Sequence, residues 1–180
     1  MNSLWSDIFW AFWFFLPAGV ANMTPPIANK IPLLAKWNTP MDFGRSFRGK
    51  RIFGDNKRWR GLVFGTLMAG LVGGFEYSYL VALDAGHLIA TFVLLGILMG
   101  LGALTGDAIA SFFKRQLKID SGKSWFPFDQ TDYIIGGILF SYPVFHYTVR
   151  QMVLILSIYF GLHLLIAYIG YLLKFKDRPI

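Results

Sequence analysis

The 180-residue chain contains no cysteine, which excludes disulfides, thiolate metal sites and cysteine nucleophiles. Histidine is nearly as scarce: His87, His146 and His163 are scattered, and no two have ligand spacing. Neither a histidine-based zinc site nor a Ser/His/Asp triad can be assembled from them. Acids number ten against seventeen Lys and Arg, giving a net charge of +7. The chain shows no internal repeat, and no stretch between its apolar segments is large enough for a soluble core. The first apolar segment has neither a basic leader nor a small-residue cleavage site, so it is expected to be a retained helix rather than a signal peptide.

What the chain has is apolar length. It is 55% hydrophobic with a mean hydropathy of +0.50, more apolar than a soluble domain. Five segments, at about 5–22, 61–83, 87–112, 133–149 and 151–173, reach or approach the roughly 20 residues that cross a hydrocarbon core. The expectation is an all-α, polytopic integral membrane protein of one domain (residues 1–180), with five transmembrane helices and catalytic loops at about 23–60 and 113–132.

The basic residues set an orientation. Nine lie in residues 30–60, four in 114–123 and three in the tail; Arg150 alone falls on the other side. By the positive-inside rule the N-terminus is outside, while both long loops and the C-terminus are cytoplasmic. The positive charge thus marks one membrane face, where anionic headgroups and anionic metabolites both lie. It is not by itself a nucleic-acid signal.

Within this frame, Pro25, Pro26 and Pro32 predict that the first helix stops near Asn22 and that 22–32 is irregular. Asn22, Thr24, Asn29 and Lys30 either line a polar cavity or meet headgroups at a plain helix exit. The loop that follows mixes Asp42, Gly49, Lys50, Arg51, Gly54, Asp55, Asn56, Lys57, Trp59 and Arg60. Glycines and cations of this kind suit phosphate oxygens. The same loop also reads as a polybasic patch for anionic lipid, although interspersed acids gain nothing there. Gly44 to Lys50 fits most of a Walker A motif, but Arg51 stands where Ser or Thr should bind magnesium, and no buried strand precedes it.

Glycine pairs four apart (61/65, 70/74, 96/100 and 102/106) predict close intramolecular helix crossings. Glu76 reads as a structural or partly wetted acid near the outer interface, and Asp84 as exposed in an outer turn. Tyr142-Pro143 predicts a kink in the fourth segment, with a tight turn to the fifth near Arg150.

Asp107, Ser111, Lys114 and Lys118 share one helical face. An acid near membrane depth is costly unless it is paired or used, and ion pairing with Lys114 or another cation is one reading of Asp107. Asp129 and Asp132 follow at the start of the next segment, where the helix dipole favours carboxylates and Asp129 or Thr131 could act as an N-cap. A cap needs one acid, not two with a third from the adjacent helix. Three aspartates without His or Cys are hard oxygen ligands suited to magnesium shared with substrate phosphates. Cationic glycine loops on the same face point to transfer at phosphorus, and the membrane body makes one reactant a lipid.

Gly106-Asp107-x3-Ser111-x2-Lys114-Arg115, Lys118-x-Asp120-x-Gly122-Lys123 and Pro127-x-Asp129-Gln-x-Asp132 together resemble the C-terminal signature of phosphatidate cytidylyltransferases. Asn56-Lys57-Arg58-Trp59-Arg60-Gly61 is similar to a second element of that family. Two departures stand out: Ile119 separates Lys118 from Asp120, and Trp-Phe-Pro-Phe replaces His-Gly-Gly before the final acids. The whole length, with Asn22-Met-Thr-Pro-Pro-Ile-Ala-Asn-Lys and Gly-Lys-Arg-Ile-Phe-Gly-Asp-Asn-Lys, resembles the archaeal CDP-archaeol synthase family more closely still.

That resemblance implies transfer of a cytidylyl group from CTP to 2,3-di-O-geranylgeranylglycerol 1-phosphate, an isoprenoid ether-lipid phosphate, with Mg2+ as cofactor. It implies that Asp107, Asp129 and Asp132 hold the metal and that Lys50, Arg51, Lys57 and Arg60 cradle the triphosphate. Lys114 or Lys118 would contact a phosphate, and Asp42, Asp55 and Asn56 would reach the base or ribose. Asn22, Gly49, Gly54 and Trp59 complete the expected CTP site. The alternatives are a CDP-alcohol phosphotransferase, whose Asp-Gly-x2-Ala-Arg pattern is not supplied by Asp107-Ala-Ile-Ala-Ser, and a small membrane transporter, which would place polar residues near the midplane between repeats.

Overall fold

The computed structural model describes residues 4–81, 88–120 and 123–174, with side chains at 79–81 left out. Asp84, His87, Gly122, Lys176 and Arg178 therefore lie outside the described residues. The described chain is helical: α1 (Leu4–Phe14), α2 (Leu16–Ala28), a short α3 (Pro32–Ala35), α4 (Trp59–Val81), α5 (Ile89–Gln116), α6 (Phe128–Ser141) and α7 (Val149–Leu172). A two-stranded hairpin, β1 (Ser46–Phe47) and β2 (Lys50–Arg51), interrupts the loop before α4.

Two helices, α5 and α7, are long and apolar enough to cross a membrane by themselves. A third crossing is available if α1 and α2, bent by 40° at their junction, act as one span. The bend follows from Pro17, whose missing amide cannot bond the carbonyl of Trp13. Helix α7 leaves many of its large apolar side chains exposed, among them Val153, Leu156, Leu165 and Ile169, as expected where lipid is the solvent, whereas α5 exposes fewer.

Small residues make the interior contacts. In α5, Gly102 and Gly106 meet α6 so closely that a Cβ built on Gly102 would stand 2.2 Å from the Gly136 carbonyl oxygen, and one on Gly106 2.4 Å from that of Asp132. Gly96 and Gly100 pack the other side of α5 on Ala69 and Thr66 of α4, and Gly65 of α4 meets Ala21 of α2. The predicted glycine pairs are thus crossings within the chain, with α5 as the central helix. The larger side chains Phe15, Met99, Tyr133, Ile134, Ile155 and Tyr159 close the core between α1, α2, α5, α6 and α7.

The structure departs from the sequence expectation at two places. First, α2 does not stop at Asn22 but runs through Pro25 and Pro26 to Ala28. The pair sits in the last turns, where few downstream bonds are at stake, and Gly61 of α4 leaves room for the Pro25 ring. Second, α6 begins at Phe128 and ends at Ser141, so Tyr142-Pro143 terminates the helix instead of kinking it. The connection to α7 spans 142–148, and Arg150 lies in the first turn of α7. Thr148 sets that start through a capping box: its hydroxyl accepts from the Gln151 amide, and its own amide donates to Gln151 Oε1 at 2.9 Å.

Candidate active site

The polar residues gather where α5 ends and α6 begins. Gly106 has no side chain to hold α6 away, so Asp107 on α5 and Asp132 on α6 lie in each other's electrostatic field, together with Lys57 and Asp129. Asp107 is ion-paired with Lys57, whose backbone carbonyl is itself held by the Met41 amide. Asp129 accepts from Lys114 Nζ at 2.7 Å and from the Trp125 amide at 2.8 Å. Lys114, 8% exposed, also donates to the Lys123 carbonyl at 2.8 Å, which pins the 123–129 segment to α5. Pro127 occupies the N-cap position of α6 without a side-chain cap, so neither Asp129 nor Thr131 caps that helix.

Asp132 differs from the other two acids. Its Oδ1 accepts from the Tyr133 amide at 2.6 Å, but its Oδ2 is buried with no hydrogen-bond partner. A bare carboxylate oxygen beside a second carboxylate is disfavoured unless a cation supplies the missing charge. The donor chemistry, carboxylate oxygen only, fits a hard divalent cation. Among the described residues, however, no three carboxylates or imidazoles converge as a metal-holding group. Lys57 and Lys114 occupy two of the three acids instead.

The basic loop is built around Asp42, which was expected to contact CTP. Its side chain is fully buried: Oδ1 accepts from Gly44 N and Arg51 Nη2, and Oδ2 from Arg51 Nε, Phe53 N and Gly54 N. Burial by itself would raise the Asp42 carboxyl. The hydrogen bond from Arg51 and the three backbone bonds outweigh it and hold the group below the ordinary carboxylate value. The same bond to Asp42 raises the Arg51 guanidinium, which reaches Asp55 at 2.6 Å with its other arm. Gly44, Gly49 and Gly54 all take positive φ, which lets the chain fold back on Asp42. Arg48 (φ 50°) and Gly49 (φ 75°) occupy the two central positions of the hairpin turn, the backbone that a two-residue turn of matching twist requires.

Arg60 is likewise committed within the protein. It is buried, and its guanidinium bonds Asn29 Oδ1 twice, the carbonyls of Ala35 and Trp37, and Asn38 Oδ1. It therefore ties the end of α2, α3 and the following turn to the first turn of α4. Lys50 donates to the Gln116 carbonyl at 2.8 Å, closing the C-terminus of α5. Trp59 packs near Phe43, with ring centroids 6.1 Å apart, and its Nε1 is buried without a partner. Asp55 and Asn56 are exposed beside the loop, and Asn22 is half-buried within α2. Lys118 is exposed at φ 63°, the left-handed position that ends α5: Ile119 N bonds Lys114 O and Lys118 N bonds Arg115 O.

Both loops therefore meet on α5, through Lys57–Asp107, Lys50–Gln116 and the Phe47–Phe112 ring contact. Two buried polar groups belong to residues outside the expected set. Arg115 runs along Gly54, with its Nε buried and unpartnered, and Gln130, between the two α6 acids, is buried with Oε1 unpartnered. Position was the available signal: Arg115 adjoins Lys114, and Gln130 lies inside the Asp-x-x-Asp pair.

Comparison with known proteins follows the same lines. A family model described as CarS-like CDP-archaeol synthase matches residues 4–180. A CDP-archaeol synthase from Thermococcus gammatolerans is 38% identical over 175 residues, 97% of either chain. The corresponding protein from Thermococcus kodakarensis is 35% identical with the same coverage, and that from Methanocaldococcus jannaschii is 34% identical over 94% of this chain and 96% of its own. A solved structure described as an intramembrane enzyme for archaeal membrane lipids biosynthesis superposes with a TM-score of 0.72. It is 31% identical and covers 88% of this chain and 92% of its own.

Proposed function

From the premise that this chain belongs to the CDP-archaeol synthase family, we propose how its charged face carries out the family's reaction. The protein is a CTP-dependent cytidylyltransferase acting on a lipid phosphate in archaeal membrane lipid synthesis. The finer reading is that the acceptor is 2,3-di-O-geranylgeranylglycerol 1-phosphate, that the cation is Mg2+, and that Asp107, Asp129 and Asp132 hold it. The observation that carries this reading is the buried, unpartnered Asp132 Oδ2 beside Asp107.

When bound, magnesium neutralises charge on the phosphates and on the pyrophosphate leaving group. The chain's own residues position the reactants. Lys57 and Lys114 pair with Asp107 and Asp129; were those acids to hold the metal, these two cations would be free to contact phosphate oxygens. Arg115 and Lys118 complete an anion-binding surface whose shape depends on the Asp42–Arg51 pair and the Arg60 strut. The lipid phosphate is already an anion, so no general base is needed. One of its oxygens bonds to the α-phosphorus of CTP, the bond from that phosphorus to the α–β bridging oxygen breaks in line, and pyrophosphate departs with the electron pair. Five spans, formed by α1–α2, α4, α5, α6 and α7, would put the N-terminus outside and this site at the cytoplasmic boundary, with the isoprenoid chains extending into the surrounding bilayer.

Purified protein given CTP, magnesium and the unsaturated lipid phosphate is expected to release pyrophosphate and form a CDP-lipid. Asp132→Asn should lose about 100-fold or more of that turnover, the scale of losing one main electrostatic contact to the reacting group, while keeping its helicity. Absence of product with every divalent cation would overturn the reading, and full activity of Asp132→Asn would remove Asp132 from the metal site.

A further inference from the structure

The tip of the β1–β2 hairpin is left over by this reading. The side chains of Arg45, Phe47 and Arg48 are exposed and make no hydrogen bond to the charged residues of the site, yet they form one continuous surface. The Arg48 guanidinium lies 5.3 Å from the centroid of the Phe47 ring. That ring packs 5.9 Å from Phe112 on α5, which in turn meets Phe113 at 5.4 Å. Phe47 and Phe113 remain 46% and 51% exposed. The hairpin thus continues the apolar flank of α5 and crowns it with two arginines.

Its height in the membrane follows from α5. At 28 residues that helix is about 42 Å long, against a hydrocarbon core of about 30 Å, so its last turns stand at headgroup level. Phe112 and Phe113 belong to those turns, and Lys50 fastens the hairpin to the terminal carbonyl of Gln116. Aromatic rings with cations just beyond them are the composition that settles into the headgroup layer. Charge is complementary to an anionic surface: no exposed residue from 43 to 50 is acidic, Asp42 is buried, and Asp55 is engaged by Arg51. Arg48 also holds a left-handed backbone at φ 50°, a conformation that Asn or Gly adopts more easily, and the side chain it carries is directed over an exposed ring.

We propose that the hairpin tip is a docking surface for anionic phospholipid headgroups of the bilayer, with Phe47 seated at the acyl boundary and Arg45 and Arg48 on lipid phosphates. The contact holds the 42–57 loop against the membrane next to the site where a lipid phosphate reacts, without taking part in the chemistry.

Because the chain lacks cysteine, Ser46→Cys supplies a unique thiol beside the tip for a bimane fluorophore. The full-length protein is placed in nanodiscs of phosphatidylcholine alone or of phosphatidylcholine with phosphatidylglycerol, each doped with headgroup-nitroxide lipid. Quenching is expected to be stronger with phosphatidylglycerol and to weaken as salt is raised. The Arg45→Gln/Arg48→Gln double variant should lose that excess, by roughly fivefold in headgroup partition per arginine, with its melting temperature and its pyrophosphate release in detergent unchanged. Phe47→Ser should lower quenching in both compositions. Equal quenching with and without phosphatidylglycerol would overturn the proposal in favour of a purely apolar anchor. An unquenched, water-like fluorophore in both would overturn it altogether. Neither outcome bears on whether the protein transfers cytidylyl groups.

Discussion

Asp42 shows how one buried residue can shape a whole loop. It accepts five hydrogen bonds from Arg51 and three backbone amides, and its side chain is closed to solvent. Removing the charge leaves buried donors short of an acceptor, at a cost of about 1–3 kcal/mol. Asp42→Asn is therefore expected to loosen the loop and raise the KM for CTP more than it lowers kcat. The pH dependence has a definite sign. The folded carboxyl is held below its usual value, so its contribution is complete above the unfolded pKa of about 3.9 and is lost as pH falls through the folded value. Hydrogen exchange of the Phe53 and Gly54 amides should show constant protection from neutral pH to about 5 and a progressive loss below about 4. Asp42→Asn should show weaker protection without that acid step; unchanged protection in the variant would remove Asp42 from its organising role. The internal bonding of Asp42 was not legible in the sequence, because composition does not say which arginine folds back on which acid. The Asp42–Arg51 bond spans nine residues across a turn that only the positive φ values of Gly44 and Gly49 allow.

Helix contacts turn these local charges into a site. The α5–α6 crossing has no room for a side chain at Gly102, Gly106 or Gly136, and that closeness sets Asp107 beside Asp132. A methyl at Gly106 would meet the Asp132 carbonyl at 2.4 Å, and backbone cannot yield as a flexible side chain does. Gly106→Ala should force the helices apart at a cost of about 1–3 kcal/mol, lowering the melting temperature. It should also raise the metal concentration needed for half-maximal turnover, because the two carboxylates separate. Gly161→Ala on α7 is the matched control, since nothing lies within 4 Å of its added Cβ; equal effects at both positions would defeat the explanation. The glycine spacings announced these crossings, since four-residue intervals put both glycines on one face. The ends of α2 and α6 were less legible. A proline rule counts lost hydrogen bonds but cannot see that Gly61 makes space for the Pro25 ring, and hydropathy cannot place the start of α6, whose first turn is built from Phe128, Asp129 and Gln130.

At the scale of the whole molecule, charge is sorted between helix ends. The Lys57–Asp107 and Lys114–Asp129 pairs and the hairpin lie at one end of α5, whereas Arg150 pairs with Asp7 where α1 begins and α7 starts. Helix α6 is only 14 residues, about 21 Å, with Asp129 in its first turn and Asp132 one turn on. This accounts for why the acids were conspicuous in an apolar sequence while their lysine partners were not: lysines at a membrane face are expected for orientation alone, and nothing in their spacing assigns Lys57 to Asp107 across 50 residues. The proposed five-span topology puts the two ends of α6 on opposite sides of the membrane. A single cysteine placed at Lys118, beside the site, and another at Thr148, in the α6–α7 connection, are the discriminating pair in a cysteine-free chain. In intact cells a membrane-impermeant maleimide should label Thr148→Cys at once and Lys118→Cys only after permeabilisation, the outcome that the proposed orientation predicts. Labelling of both from outside would break the single crossing that α6 is proposed to make, and the reverse pattern would place the site on the outer face, away from cytosolic CTP.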